Sequence, residues 1–267
     1  MHVSLPAGWL VPDWPAPPGV QALCTTRAGG VSAAPYDCLN LGAHVGDDAA
    51  AVQSNRQVLQ SVLQSATANA RAVFLNQVHG TDAVRIDLGT PDATTADACL
   101  ATTPGAVCTI MVADCLPALF AHRSGSVVAA AHAGWRGLAG EQGQGVLEST
   151  VKGLAEQGAP AAEVIAWLGP CIGPTAFEVG AEVRAAFCSH DPGAGACFVP
   201  QPGGKYLADL AGLARLRLAA LGITAIYGND GTAPWCTVGN ASRFFSHRRD
   251  TAVLGGSGRF AACIWRA

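Results

Sequence analysis

Charge is what this chain has least of. Only 13% of its 267 residues are Asp, Glu, Lys or Arg, the net charge is −3, and like charges form no run. Nucleic acids and membrane surfaces attract proteins through a basic footprint, so neither is expected as a partner. No apolar stretch reaches the length needed to span a bilayer. The N-terminal M-H-V-S-L-P-A-G-W-L-V-P has no basic region followed by an apolar run. With no export signal, a cytoplasmic location with reduced thiols is expected. Neither G-x-G-x-x-G nor G-x-x-x-x-G-K-[ST] occurs, which removes the two common nucleotide loops.

Histidine and methionine are thin as well. Seven histidines include no H-x-H pair, and there are two methionines. Coupled copper clusters draw on many histidines, largely paired in that way, and blue copper sites often add an axial methionine. The ten cysteines include no C-x-x-C pair. Most sit in apolar runs, as Cys108 does in A-V-C-T-I-M-V and Cys263 in A-A-C-I-W, where a thiol behaves as a small core hydrophobe.

What is present is apolar and small. Half the residues are hydrophobic, which at this length is ample for a packed core. The proline-rich opening excludes regular structure, and Trp9 and Trp14 are expected to pin it down. Segment 35–42 reads as extended. Strands are expected at 20–26, 72–78 (ending at His79-Gly80), 83–87, 164–168, 223–227, 244–246 and 260–265, with three in succession over 106–133. Pro117 suits a strand start or an edge. Helices are expected from an Asp47 cap to Leu63, from H-A-G-W-R-G to about Glu156, over 179–188 and over 206–221. In the last, Leu207, Leu210, Ala214, Leu218 and Leu221 share a face. Strands in runs, then alternating with helices, without repeats or a linker-like shift, indicate an α+β layered fold in one domain over 1–267.

The chemistry gathers between Asn76 and Gly137. N-Q-V-H-G ends at Gly80, A-D-C-L-P surrounds Cys115, and H-A-G-W-R-G begins at His132. Imidazole and thiolate are good zinc ligands, and three protein ligands with one open position is the catalytic arrangement. His79 and His132 fall at strand ends and Cys115 in a strand–strand turn, so the three can converge. Two ordinary histidines and a buried thiol account for the same residues, and separations of 36 and 17 positions do not choose between the readings.

Asp114, in an apolar turn, needs a partner. It can orient a ligand histidine, act as a general acid or base, or cap the turn. Arg136 before a helix start makes an anion site, or else a surface arginine stacked on Trp135. Arg27 on the turn R-A-G-G-V-S and Arg248 in S-H-R-R-D are further candidates for phosphate or substrate. Cys171, Cys236 and His247 offer the residue types of another site near one pocket, but read better as structural turn residues.

Together, several segments resemble the laccase-domain family, also called multicopper polyphenol oxidoreductases, whose members are described as zinc-dependent purine nucleoside phosphorylases. They are T-T-R-A-G-G-V-S (25–32), P-Y-D-C-L-N-L-G (35–42), V-G-D-D (45–48), N-Q-V-H-G (76–80), V-A-D-C-L-P (112–117), A-H-A-G-W-R-G (131–137), L-G-P-C-I-G (168–173) and F-F-S-H-R-R-D (244–250). The likeness runs along nearly the whole chain. It departs at His247, where the family usually has tyrosine, and at S-G-R (257–259), where it usually has T-G-R, here displaced by L-G-G.

The resemblance implies zinc bound by His79, Cys115 and His132 in the active site; Cys115, His132 and, from its place in the turn, Asp114 are the catalytic candidates. It implies phosphorolysis of adenosine, inosine, guanosine and 5′-methylthioadenosine, accompanied by adenosine deamination, so purine nucleosides and phosphate are the expected partners. The implied fold is an α/β/β/α sandwich with mixed sheets, shared with cysteine-hydrolase-like toxin domains. Some bacterial relatives have a peptidoglycan-editing role. Two other readings stay open. Cys115 and His132 can serve as nucleophile and base of a cysteine hydrolase acting on peptidoglycan precursors. Alternatively, zinc can be structural in a binding module. Copper oxidation is disfavoured by the missing histidine pairs. The H-x-E…P-C-x-x-C pattern of nucleobase deaminases is absent, so any shared chemistry is convergent.

Overall fold

Side-chain alternation along the longest strands decides the architecture, here a computed structural model that describes residues 5–267. In β5 (Ala106–Val112), Cys108, Ile110 and Val112 enter one core while Val107 and Met111 enter another. In β13 (Phe260–Arg266), Phe260, Ala262 and Ile264 divide from Ala261, Cys263 and Trp265 in the same way. Strands buried on both faces read as continuous apolar runs, which is why both were legible. With β1 (Val20–Cys24) and β2 (Arg71–Phe74) they form a four-stranded sheet ordered β1-β13-β5-β2. It is mixed, with β2 parallel to β5 and the other pairs antiparallel.

A second mixed sheet holds β3 (Ala83–Ile86), β4 (Ala98–Ala101), β6 (Leu116–His122), β7 (Val128–Ala133), β8 (Val164–Leu168) and β12 (Ala225–Gly228). Its order is β12-β8-β6-β7-β4-β3. Leu119, Ala121, Val128 and Ala130 face the first sheet, whereas Ala118, Phe120, Ala129 and Ala131 face away. On the outer face of the four-stranded sheet, α1 (Ala49–Ala66) packs Leu59 and Leu63. Four helices cover the six-stranded sheet: α2 (Trp135–Ala139), α3 (Val146–Glu156), α4 (Ala181–Cys188) and α5 (Leu210–Ala220). A small antiparallel sheet of β9 (Glu178–Val179), β10 (Phe198–Gln201) and β11 (Lys205–Ala208) flanks α4, and α6 (His247–Leu254) precedes β13. The result is an α/β/β/α layering of mixed sheets. Among the described residues no helix is long and apolar enough to cross a membrane.

Several expected boundaries move, each for a local reason. Asp48 caps α1, accepting from the Ala51 N–H at 2.8 Å, while Asp47 instead accepts from Ser32 Oγ at 2.6 Å and Asn40 Nδ2 at 2.9 Å. β2 stops at Phe74. Beyond it the Gln77 amide takes a ladder position, bonding the Met111 N–H at 2.9 Å and its C=O at 2.8 Å. The helix expected up to Glu156 is split into α2 and α3, because the chain turns at Gly140 with φ 62°. Tyr206 and Leu207 pair with Pro200 and Val199 in β11, and Asp209 caps α5 through the Gly212 N–H. The helix expected from 179 starts at Ala181, after β9. Residues 244–246 form no strand. Phe244 and Phe245 are buried and Ser246 caps α6. Segment 35–42 likewise forms no strand.

Candidate functional site

The crossing at Ala113–Cys115 positions the site. β5 and β6 are not a hairpin but lie in different sheets, so the link between them passes from one sheet to the other. Asp114 adopts φ 85° there, a conformation that strains a residue with a side chain and persists only when its surroundings hold it. Thr237 Oγ1 donates to one carboxylate oxygen at 2.5 Å, and Ser246 Oγ and the Arg248 N–H donate to the other at 3.1 and 2.7 Å. The Asp114 C=O accepts from the Ile172 N–H at 2.9 Å. Asp114 therefore ties α6 and the turn after β8 to the crossing. None of these partners is a site histidine.

Asp97 does the orienting work instead. It is fully buried just before β4 and accepts from the Val78, His79 and Gly80 N–H groups at 3.1, 2.9 and 2.7 Å. The His132 Nδ1 lies 2.8 Å from the same carboxylate. That contact leaves His132 Nε2 for the site, as a carboxylate behind a ligand histidine does. His79 lies beyond the end of β2 on the loop so clamped, at φ 61°. The signal available in the sequence was T-T-A-D-A-C-L, a carboxylate set directly before an apolar strand, where it must find donors.

His79, Cys115 and His132 do meet. Their ligand atoms lie within 4.8 Å of one another, with Cys115 Sγ 3.6 Å from His79 Nε2. The two imidazoles pack edge to face at 4.7 Å. Gly134 permits this approach, since a Cβ there would stand 2.8 Å from His79 Cδ2 and 3.0 Å from Cys115 Sγ. Burial pushes the Cys115 thiol up, but the charge of His132 and hydrogen bonds from both histidines outweigh it and bring the thiol down to about 6. Burial likewise pushes His132 down, and Cys115 and Asp97 together raise it to about 9. Two imidazoles and a sulfur inclined to the thiolate can hold a metal ion and leave a position open.

The cluster lines a cavity of about 260 Å³ at the end of the sheets where β5 stops and β6 begins. His44, Gln77, Met111 and Arg259 line it from segments joined to the four-stranded sheet. Trp135, Ile172, Phe177 and Leu210 line it from the side of the six-stranded sheet, and His247 and Arg248 from the start of α6. Burial, then the charge of Arg259, holds His44 below its ordinary value.

The three arginines expected to contact phosphate or substrate part company here. Arg248 lines the cavity, its Nη2 donating to the Glu178 C=O at 3.1 Å. Arg136 does not line it. This residue is exposed on α2 with its guanidinium 4.5 Å from the Trp135 ring. Arg27 is tied to Asp37 at 3.3 Å and lies over Phe245 at 4.7 Å, also away from the lining. Cys171 and Cys236 are buried and bridge backbone to backbone, whereas His247 faces the cavity rather than joining them. Arg259 and His44 are lining residues that the sequence reading passed over.

Fold and site together define a layered α+β protein with a thiol–imidazole cluster able to hold a metal ion, in a cavity at one end of two stacked sheets. Residues 21–267 match the family described as multi-copper polyphenol oxidoreductase laccase, and the chain belongs to that family. Over 96% of its length it is 51% identical to a purine nucleoside phosphorylase of Pseudomonas aeruginosa, covering 98% of that protein. It is 49% identical to purine nucleoside phosphorylase YfiH of Escherichia coli, again over 96% of this chain and 98% of the relative. Among solved structures, a Neisseria meningitidis protein is similar with a TM-score of 0.83 at 45% identity, over 97% of this chain and 99% of that one. YlmD from Geobacillus stearothermophilus gives 0.84 at 30% identity, over 99% and 98%.

Proposed function

We propose that this chain is a zinc-dependent purine nucleoside phosphorylase, taking adenosine, inosine, guanosine or 5′-methylthioadenosine and phosphate to free base and ribose 1-phosphate or its methylthio analogue. Adenosine deamination accompanies this activity in the same cavity, and the reaction is placed in the cytoplasm. One domain over 1–267 carries it. The observation behind the reading is the convergence of His79, Cys115 and His132 in a cavity with apolar residues on one side and cations on the other. The names of relatives about half identical over nearly the full chain point the same way.

The donor set fits zinc. Two imidazoles and a thiol drawn towards the thiolate are zinc-type ligands, and coupled copper clusters need paired histidines that this chain lacks. His79, Cys115 and His132 would hold the ion. When bound, zinc supplies a Lewis acid that polarises a substrate oxygen. Asp97 keeps His132 and the His79 loop aligned. Trp135, Phe177, Ile172 and Leu210 offer a flat base an apolar wall, the usual lining of such sites. Asp114, with both oxygens accepting hydrogen bonds, holds the crossing in place, which favours a positioning role over that of proton carrier.

Metal-analysed wild type and Cys115→Ala incubated with inosine, with and without phosphate, test the reading. Hypoxanthine release should require phosphate and vanish in the variant. Phosphate-independent release, or undiminished turnover by Cys115→Ala, overturns it. The low thiol value beside two imidazoles favours a second reading, a cysteine hydrolase with Cys115 as nucleophile and His132 as base. Such an enzyme keeps its activity after chelation, and a zinc phosphorylase does not.

A further inference from the structure

The cavity contains a guanidinium that, among the described residues, has no carboxylate within salt-bridge distance, though it feels the charges of Cys115 and Asp114. Arg259 enters the cavity from just before β13, in space left by Gly42, where a Cβ would stand 2.8 Å from Arg259 Cγ. Its backbone is fixed on both sides, the N–H donating to Asn40 Oδ1 at 2.8 Å and the C=O accepting from the Leu41 N–H at 3.0 Å. Nη1 donates to the C=O groups of Ser257 and Gly258 at 2.9 and 3.0 Å. Among the described residues Nε and Nη2 have no protein partner, and Arg259 has no ion pair.

Other half-buried arginines find acids, backbone carbonyls or a ring. Arg27 meets Asp37, Arg217 meets Glu148 and Arg249 meets Asp250. Arg215 and Arg266 donate to backbone C=O groups, and Arg56 donates to the Leu41 C=O and lies over Phe74. Arg259 is withdrawn enough that burial lowers its value, and the acid lining its cavity, Asp114, has both oxygens occupied by Thr237, Ser246 and Arg248. His44 lines the same wall and feels the Arg259 charge, and Arg248 adds a second guanidinium to the lining. A half-buried guanidinium with two donors free in a fixed fork matches an oxyanion presenting two oxygens. The geometry points to Arg259 as the phosphate-binding residue of this cavity, with His44 beside it, Nε and Nη2 donating to two oxygens of inorganic phosphate. Calling the anion phosphate rests on the phosphorolysis reading.

This assignment places phosphate on the side of the four-stranded sheet, facing the apolar wall of Trp135, Ile172, Phe177 and Leu210. The ribose then lies between phosphate and base. A phosphate oxygen bonds to the ribose C1′ as the bond from C1′ to the purine nitrogen breaks. The bonding electrons leave with the purine, which takes the proton of the phosphate hydroxyl. Arg259 transfers nothing; it holds the nucleophile in line.

Two measurements test it. In steady-state assays, Arg259→Gln should raise the phosphate KM by about tenfold or more and leave the inosine KM within about twofold, Arg259→Lys should recover part of the loss, and Arg136→Ala should match wild type. Calorimetric titration of the metal-loaded protein with inorganic phosphate alone should show binding that Arg259→Gln loses. Should Arg259→Gln melt early, His44→Gln, at an exposed position on the same wall, carries the comparison. An unchanged phosphate KM, or phosphate binding undiminished in a folded variant, overturns the assignment. Phosphate binding that depends on Arg259 in a wild type unable to turn over inosine sinks the phosphorolysis reading and leaves the anion site standing.

Discussion

Three consecutive backbone N–H groups, of Val78, His79 and Gly80, and the His132 ring all converge on the carboxylate of Asp97. Burial opposes its ionisation, yet the hydrogen bond and charge of His132 with the backbone donors hold it below its ordinary value. A lowered carboxylate stabilises the fold at pH above its unfolded value, and that contribution is lost as pH falls through the folded one. Asp97→Asn keeps the shape, removes the charge and turns an NH₂ towards groups that are themselves donors. With zinc as the probe metal, affinity should fall by about 10–100-fold, as for other partners behind metal ligands, read by competition with a chromogenic chelator. Wild-type affinity in that variant would show that Asp97 orients neither ligand. His79, Cys115 and His132 were legible because each sits in a short segment with glycine, proline or tryptophan neighbours that match a known family. Asp97, Arg259 and His44 were not, since the partners that define them are far away in the chain. A carboxylate before an apolar strand signals that a donor exists, not which one.

At the scale of elements, legibility followed burial. β5, β6, β7, β8 and β13 were found because both faces are covered and their apolar runs are unbroken. β4, β9 and β10 were missed and β11 was taken for helix, because these short strands owe their existence to pairing partners rather than to their own pattern. The single helix α6 was also missed, and its position depends on Asp114. Thr237, Ser246 and Arg248 all donate to that carboxylate, binding the α6 start to the residue before Cys115. Asp114→Ala strands these donors in a buried place at about 1–3 kcal/mol each. We expect urea denaturation to show a loss on the order of 3 kcal/mol, together with lower activity, and Asp114→Asn to recover part of both. A general-acid role predicts the opposite pattern, with kcat lost and stability kept in both variants.

For the molecule as a whole, the cluster of His79, Cys115 and His132 joins the two halves of the sandwich. His79 comes from the loop after a four-stranded-sheet strand, His132 from β7 of the six-stranded sheet, and Cys115 from the crossing between them. The ligands meet only when the sheets are stacked, so a metal that binds the folded chain alone adds stability by mass action, about 4 kcal/mol at a thousandfold excess over its Kd. For a domain of this size each kcal/mol moves Tm by about 2–4 °C, so chelation should lower Tm by roughly 10 °C. It should not unfold the protein at room temperature. The cores on the two faces of the six-stranded sheet, with Phe120 and Leu138 in one and Ile110, Leu119, Trp167 and Phe260 in the other, are built without His79 and His132, and Cys115 only packs against the edge of the second. A calorimetric scan and a circular-dichroism spectrum before and after chelation decide the matter. A native spectrum with a lowered Tm and abolished turnover fits a catalytic metal. Loss of the native spectrum on chelation at 25 °C means that the metal holds the fold, and the binding-module reading then displaces the enzyme.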